Sequence, residues 1–315
     1  MTLINPTGNP ARDPIDALLS SGRDAVLAVI AGVDGPSYRP VGAMMTIFSE
    51  TERAGTLSSG CVEADIALHA MRARDGGRPV SLRYGRGSPF ADIELPCGGG
   101  LDILLLPAPD REVLQGLADD LAARRPRMLE IDVATGAMRL SGDAPWTGQD
   151  GRTLRIGFLP DIRFLVFGKG PEAATFAALV QSAGYPNLLL SPDAETLAEA
   201  AAAGGATRHL VTQAFPGDLA VDDRTAIVLF FHDHDWEPPI LQGALDTPAF
   251  YVGAQGSRRA AEARLLSLEA MGVPATARAR LRGPVGLIPS ARDAGTLAVS
   301  VLAEVLATAL APASS

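Results

Sequence analysis

The chain is almost without lysine. Lys169 is the only one in 315 residues, and arginine supplies the rest of the 27 basic groups. Codon bias explains the scarcity, but not why the single lysine stands in a glycine-rich turn. Cysteine is equally sparse: Cys61 and Cys97 are the only two, which excludes a disulfide framework. No secretory leader is legible at the start, so the expected location is cytoplasmic and reducing. Met1 to Pro14 is polar and proline-bearing and reads as a frayed arm. Long apolar runs are missing too. The best candidate, Ala294–Ala311, is alanine-rich and interrupted by Ser300 and Glu304. A membrane helix needs ~20 strongly apolar residues, so this stretch reads as a packed helix and no membrane association is expected. Basic charge is in deficit, with a net charge of −9. That argues against nucleic acid, which needs a basic face.

What remains is an ordinary globular composition, 47% hydrophobic and 20% charged, long enough for two domains. The expected division is 1–155 and 156–315. In the first part Asp24–Ala31, Met44–Phe48, Val80–Tyr84 and Leu101–Leu106 read as strands, with Gly55–Ser58 as a further short one. Glu63–Arg74 and Arg111–Arg125 read as helices; in the latter Val113, Leu114, Leu117 and Leu121 share one face. Thr135-Gly136 reads as a hairpin turn between Met128–Val133 and Met138–Leu140. This predicts a mixed α/β domain with antiparallel elements. Ser141–Arg152, rich in Gly, Asp and Pro, reads as the linker region. The second part alternates: strands at Ile162–Phe167, Asn187–Leu190, His209–Val211, Thr225–Phe231 and Ala249–Gly253, and helices at Pro171–Ala183, Ala194–Ala203, Pro239–Leu245 and Ser257–Met271. Repeated strand–helix units predict a Rossmann-like parallel sheet covered on both faces.

Several segments carry chemistry. Gly168-Lys169-Gly170-Pro171-Glu172-Ala173 is G-x-G-x-x-A between a strand and a helix. Gly168 permits the tight turn, Gly170 the approach of a phosphate, and the helix N-terminus attracts an anion. The acidic residue expected after the second strand is Asp193, 25 positions on and displaced by Pro192. Ser58-Ser59-Gly60-Cys61-Val62-Glu63 places Cys61 at the start of a helix, which favours the thiolate; Glu63 opposes this. Pro96-Cys97-Gly98-Gly99-Gly100 leaves backbone N–H groups open as an anion nest. A lone cysteine is most simply a small buried hydrophobe, but these two both sit in glycine-rich corners. The expectation is that their sulfur atoms, 36 positions apart, line one cleft. No Cys-x-x-Cys spacing supports structural zinc. In Gly35-Pro36-Ser37-Tyr38-Arg39-Pro40, Ser37 offers a hydroxyl and Arg39 a bidentate phosphate contact. His232-Asp233-His234-Asp235 follows a buried strand where open α/β sheets place ligands. It is most simply a polar loop, with His232 as a pocket residue. Gly256-Ser257-Arg258 opens another helix and offers a second anion site.

These motifs, in order, resemble the XdhC/CoxI family, accessory proteins of molybdenum hydroxylases such as xanthine dehydrogenase. Gly35–Met44 is similar to the family's opening loop, Gly60-Cys61-Val62-Glu63 to its Gly-Cys-Val-Glu signature, and Pro96-Cys97-Gly98-Gly99 to its Pro-Cys-Gly-Gly signature. Tyr251-Val252-Gly253-Ala254-Gln255-Gly256-Ser257-Arg258 resembles its Tyr-Ile-Gly-x-x-Gly-Ser-Arg motif. Pro284-Val285-Gly286-Leu287 and Ala298–Glu304 resemble its closing segments. The chain departs from the pattern in having Pro171 and Glu172 after the second glycine, where the family usually has a histidine. It departs again in having Ile288 after Pro-x-Gly-Leu, where the family often has an acidic residue. The resemblance implies a carrier that binds molybdenum cofactor and helps its sulfuration and insertion into a xanthine dehydrogenase- or aldehyde oxidase-type hydroxylase. It implies Cys61 and Cys97 as molybdenum contacts, a homodimer, and a cysteine desulfurase as a further partner. The competing reading is an NAD(P)-dependent oxidoreductase built on the Gly168 turn; no Lys–Asp or Ser–Tyr–Lys catalytic set supports it.

Overall fold

Strand β1 (Val26–Asp34) explains why its sequence runs apolar without alternating. The computed structural model describes residues 13–58, 60, 62–88, 98–142, 144–232 and 235–310. It divides the chain into two compact units, Met1–Asp161 and Ile162–Ser315. In the first unit helix α1 (Pro14–Ser21) precedes β1 (Val26–Asp34), β2 (Met44–Ile47), β3 (Arg53–Gly55), α2 (Glu63–Gly76), β4 (Val80–Gly85) and β5 (Gly100–Leu106). These strands form an antiparallel sheet in the order β3-β2-β1-β5-β4. Val26, Ala28 and Ile30 pack on the α2 side with Ile66, Ala67 and Ala70. Leu27 and Val29 point the other way, to a second core. A strand buried on both faces must be apolar at every position.

That second core is completed by α3 (Arg111–Ala122) and by β6 (Arg127–Asp132), β7 (Met138–Ser141), β8 (Gly148–Asp150) and β9 (Thr153–Phe158). These four strands form an antiparallel sheet, β7-β6-β9-β8. The stretch that composition marks as a linker thus carries β8, one arm of the β8–β9 hairpin. Gly151-Arg152 is its turn, between the paired Asp150 and Thr153, with Gly151 at φ 58°. Two helix starts are set by aspartate caps: Asp13 accepts from Ile15 N at 2.9 Å and Asp110 from Glu112 N at 3.0 Å. The segment read as a frayed arm therefore ends in a helix, with Asp13 as its cap, Pro14 at its first position and Gly22 past its end.

The second unit runs β10 (Arg163–Gly168), α4 (Pro171–Ser182), β11 (Asn187–Ser191), α5 (Ala194–Ala202), β12 (Ala206–His209), β13 (Thr225–Phe230), α6 (Glu237–Leu245), β14 (Tyr251–Ala254), α7 (Arg258–Ala270), α8 (Ala275–Arg278), β15 (Leu281–Arg282) and α9 (Ala294–Leu310). Its sheet is parallel, in the order β12-β11-β10-β13-β14-β15, a Rossmann-like arrangement. Phe164, Val166, Val228 and Phe230 face α4 and α9. Leu165, Phe167, Ile227 and Leu229 face α6 and α7. The order reverses between β10 and β13, and open α/β sheets bind ligands at such a switch point. No described helix is long and apolar enough to cross a membrane.

Candidate functional site

Sheet polarity brings three segments of the first unit to one end of the five-stranded sheet. β1 and β3 run the same way, and β5 runs against them. The connection after β1 (35–43), the connection from β3 to α2 (56–62) and the segment before β5 therefore share that end. Cys61 and Cys97 lie outside the described residues; their described neighbours Gly60, Val62 and Gly98 belong to these segments.

The 56–62 connection is organised by Glu63, the first residue of α2, which is only 2% exposed. Its Oε1 accepts from Thr56 Oγ1 (2.5 Å), Leu57 N (3.1 Å) and Ser58 N (2.8 Å). Its Oε2 accepts from Ser58 Oγ (2.6 Å), Gly60 N (2.8 Å) and Val62 N (3.2 Å). Burial pushes the carboxyl up, but the bonds from Ser58, Thr56 and the backbone outweigh it and hold the group at about 2. The loop is an anion nest filled by the chain's own carboxylate. Both oxygens of Glu63 are committed to building it.

The other two segments are stitched together by arginines. Arg83 Nη1 reaches both oxygens of Asp102 (2.9 and 2.7 Å), Nη2 reaches Asp34 (3.4 Å), and Nε donates to the Arg86 carbonyl (2.9 Å). Arg86 Nη2 donates to the Gly98 carbonyl at 3.4 Å. Gly99 is wedged between backbones: a Cβ there would lie 2.0 Å from the Pro36 carbonyl oxygen. Gly99→Ala is therefore expected to cost about 1–3 kcal/mol in urea-melt stability, the usual penalty of overpacking. An unchanged midpoint would show that the two loops do not touch. Ser37 donates to the Arg39 carbonyl at 2.6 Å. Arg39 is exposed, stacked 5.7 Å over Tyr38, and has no ion-pair partner among the described residues.

In the second unit a cavity of about 920 Å³ opens at the switch point, lined by Lys169, Gly170, Pro192, Asp193, Phe231, His232, Asp235 and Trp236. Gly168 lies directly behind it, where a Cβ would meet the Phe230 carbonyl at 2.6 Å and Ala173 Cβ at 2.8 Å. These are the turn and close helix packing that G-x-G-x-x-A requires. Gly170 takes φ 91°, and its N–H donates to Thr196 Oγ1 at 2.9 Å. Asp193 caps α5: Oδ2 accepts from Thr196 N (2.9 Å) and Thr196 Oγ1 (2.6 Å). These hydrogen bonds hold its carboxyl below the usual range. His232 Nε2 lies 3.3 Å from the Gln255 amide nitrogen, which donates to it, and 3.5 Å from Glu172 Oε1.

Gln255 is itself anchored, because its carbonyl accepts from Arg264 Nη2 at 2.7 Å. Gly256, Ser257 and Arg258 sit at the start of α7 and do not line this cavity. Ser257 Oγ caps the helix by accepting from Ala260 N at 3.2 Å. The structure thus brings Gly170 and His232 into one pocket and leaves the α7 start outside it. Sequence reading missed Trp236 and Phe231 as pocket residues, although one of only two tryptophans directly follows the His232–Asp235 run. Asp233 and His234 lie outside the described residues. Among the described residues no group of three or more His, Cys, Asp or Glu is placed to hold a metal ion.

Comparison with known proteins bears on both units. The XdhC Rossmann domain family matches residues 164–305, and the XdhC and CoxI family matches residues 18–85. The molybdenum cofactor insertion chaperone PaoD of Escherichia coli K12 is 34% identical over 95% of this chain and 87% of its own length. The chain belongs to the XdhC/CoxI family. A second relative, a probable xanthine dehydrogenase subunit from Bacillus subtilis, is 26% identical over 93% of this chain and 96% of its own. A crystal structure described as a xanthine dehydrogenase from Bacillus halodurans superposes with a TM-score of 0.77 at 21% identity, covering 96% of each chain. That likeness shows a shared fold over both units.

Proposed function

We propose that this XdhC/CoxI protein binds molybdenum cofactor and helps its sulfuration and insertion into a xanthine dehydrogenase- or aldehyde oxidase-type molybdenum hydroxylase. It would act in the cytoplasm as a homodimer, with a cysteine desulfurase as sulfur source. The observation that carries this reading is the near full-length similarity to PaoD, a molybdenum cofactor insertion chaperone. The first unit fits such a cargo. Gly60 and Gly98 have positive φ (102° and 68°), and among the described residues nothing stands within 4 Å of where a Cβ would be. Arg39 brings a guanidinium that no carboxylate among the described residues neutralises, suited to a phosphate. Cys61 and Cys97 would supply soft thiolates for a molybdenum–sulfur centre. The cofactor itself brings a phosphorylated reduced pterin and a metal-binding dithiolene. The chain's part is to hold the phosphate end at Arg39 and to fix the loop that carries Cys61 through Glu63.

The test is to co-express the chain with a cofactor source, purify it anaerobically, and quantify bound molybdenum and pterin. Both are expected in near-stoichiometric amounts. Cys61→Ala is expected to lower bound molybdenum more than bound pterin, and Arg39→Ala to lower both. Absence of both from the folded wild-type protein would overturn the reading.

A further inference from the structure

The glycine turn of the second unit has the form of a phosphate site, but the N–H of its second glycine is already bonded and a carboxylate stands beside it. In G-x-G-x-x-A folds an anion is held by free N–H groups at the helix start. Here Gly170 N–H is given to Thr196, and Pro171, the first residue of α4, has no N–H. Glu172 follows in the same turn, and its Oε2 lies 3.7 Å from where a Cβ on Gly170 would be. The carboxylate stands over the spot that the second glycine leaves open. It also satisfies the positive end of the helix from within. The acidic residue that would read a ribose, Asp193, has one oxygen committed to Thr196.

The rest of the cavity favours a different ligand. Phe231 and Trp236 lie nearly parallel, 13° between planes with centroids 6.0 Å apart, and both line the wall. The same lining carries the carboxylates of Asp193 and Asp235 and one ammonium, Lys169, and Glu172 stands 3.5 Å from the lining residue His232. An aromatic wall under a surplus of acceptors suits a flat ring with several N–H donors and no phosphate at the turn. We infer that this pocket binds an amino-substituted bicyclic heterocycle of the purine or pterin type through its ring, and that Glu172 excludes phosphate from the glycine turn. The inference stands on the second unit alone. Failure to load molybdenum leaves it intact, and its own failure leaves the accessory reading intact.

Trp236 reports the site. The other tryptophan, Trp146, belongs to the first unit, and Trp236→Phe identifies which signal is which. The full-length protein is titrated with guanosine, GMP, biopterin and NAD, following tryptophan fluorescence and, independently, calorimetric heat. Guanosine or biopterin is expected to bind, and GMP to bind about tenfold more weakly than guanosine because like charges repel at the turn. Whichever ring binds tighter identifies the source. Glu172→Gln, at a partly exposed helix position, is expected to recover most of the GMP deficit while leaving guanosine unchanged. GMP or NAD binding as tightly as guanosine to the wild type would overturn the inference. So would an unchanged GMP ratio in Glu172→Gln, or no binding of either ring by calorimetry.

Discussion

Replacing Arg264 by methionine is expected to lower the stability of the second unit by about 3–5 kcal/mol, the usual penalty for stranding a buried charge. Arg264 on α7 and Glu237 on α6 are each 2% exposed at the side chain. The guanidinium forks onto the carboxylate, Nε to Oε2 at 3.0 Å and Nη2 to Oε1 at 3.1 Å. Nη2 also holds the Gln255 carbonyl. Removing the arginine takes both guanidinium bonds from the buried carboxylate and frees Gln255, which positions His232 in the pocket. The double variant Arg264→Met with Glu237→Leu is expected to regain most of the loss, because an apolar pair carries no desolvation cost. Urea unfolding of the full chain reads both effects. A single variant within about 1 kcal/mol of wild type would mean that the pair is hydrated in solution.

The two units were unequally legible in the sequence. The parallel sheet follows from repeated strand–helix periodicity, and its strands are buried on both faces, so they read as continuous apolar runs. Strand β12 is the exception. It lies at the sheet edge with no strand outside it, and its Thr207 and Arg208 carry no apolar signal, so the expected segment, His209–Val211, falls later in the chain. In the first unit composition hides β8, and β9 falls across the expected boundary at 155/156. Gly and Asp at 148–151 look like linker, although Gly151 at the first central position is itself a hairpin signal. For the site, glycine and cysteine spacing marks loops that the sheet brings to one end, but not the hydrogen bonds within them. That Glu63 fills its own nest depends on six donors converging from positions 56–62. That Glu172 occupies the anion position depends on a rotamer. Neither is a property of spacing.

Glu63 carries the second large effect, and pH separates it from ordinary packing. The folded carboxyl is held at about 2, against 4.5 when unfolded. A depressed folded value means that the unfolded chain takes up the proton first. The stabilisation is therefore complete above pH 4.5 and is lost as pH falls through about 2, amounting to about 3 kcal/mol in all. Glu63→Gln keeps the shape but turns an amide NH2 towards N–H and O–H donors that previously met an oxygen. At neutral pH it is expected to cost about 3 kcal/mol or more. The gap between wild type and Glu63→Gln should then narrow steadily as pH falls from 5 towards 2, because the protonated wild type loses the same acceptors. Denaturant midpoints at several pH values measure it. A gap constant across that range would mean the charge on Glu63 contributes nothing and only its volume matters. A narrowing gap would make the carboxylate the group that sets the backbone on either side of Cys61, since Gly60 N and Val62 N both end on its Oε2.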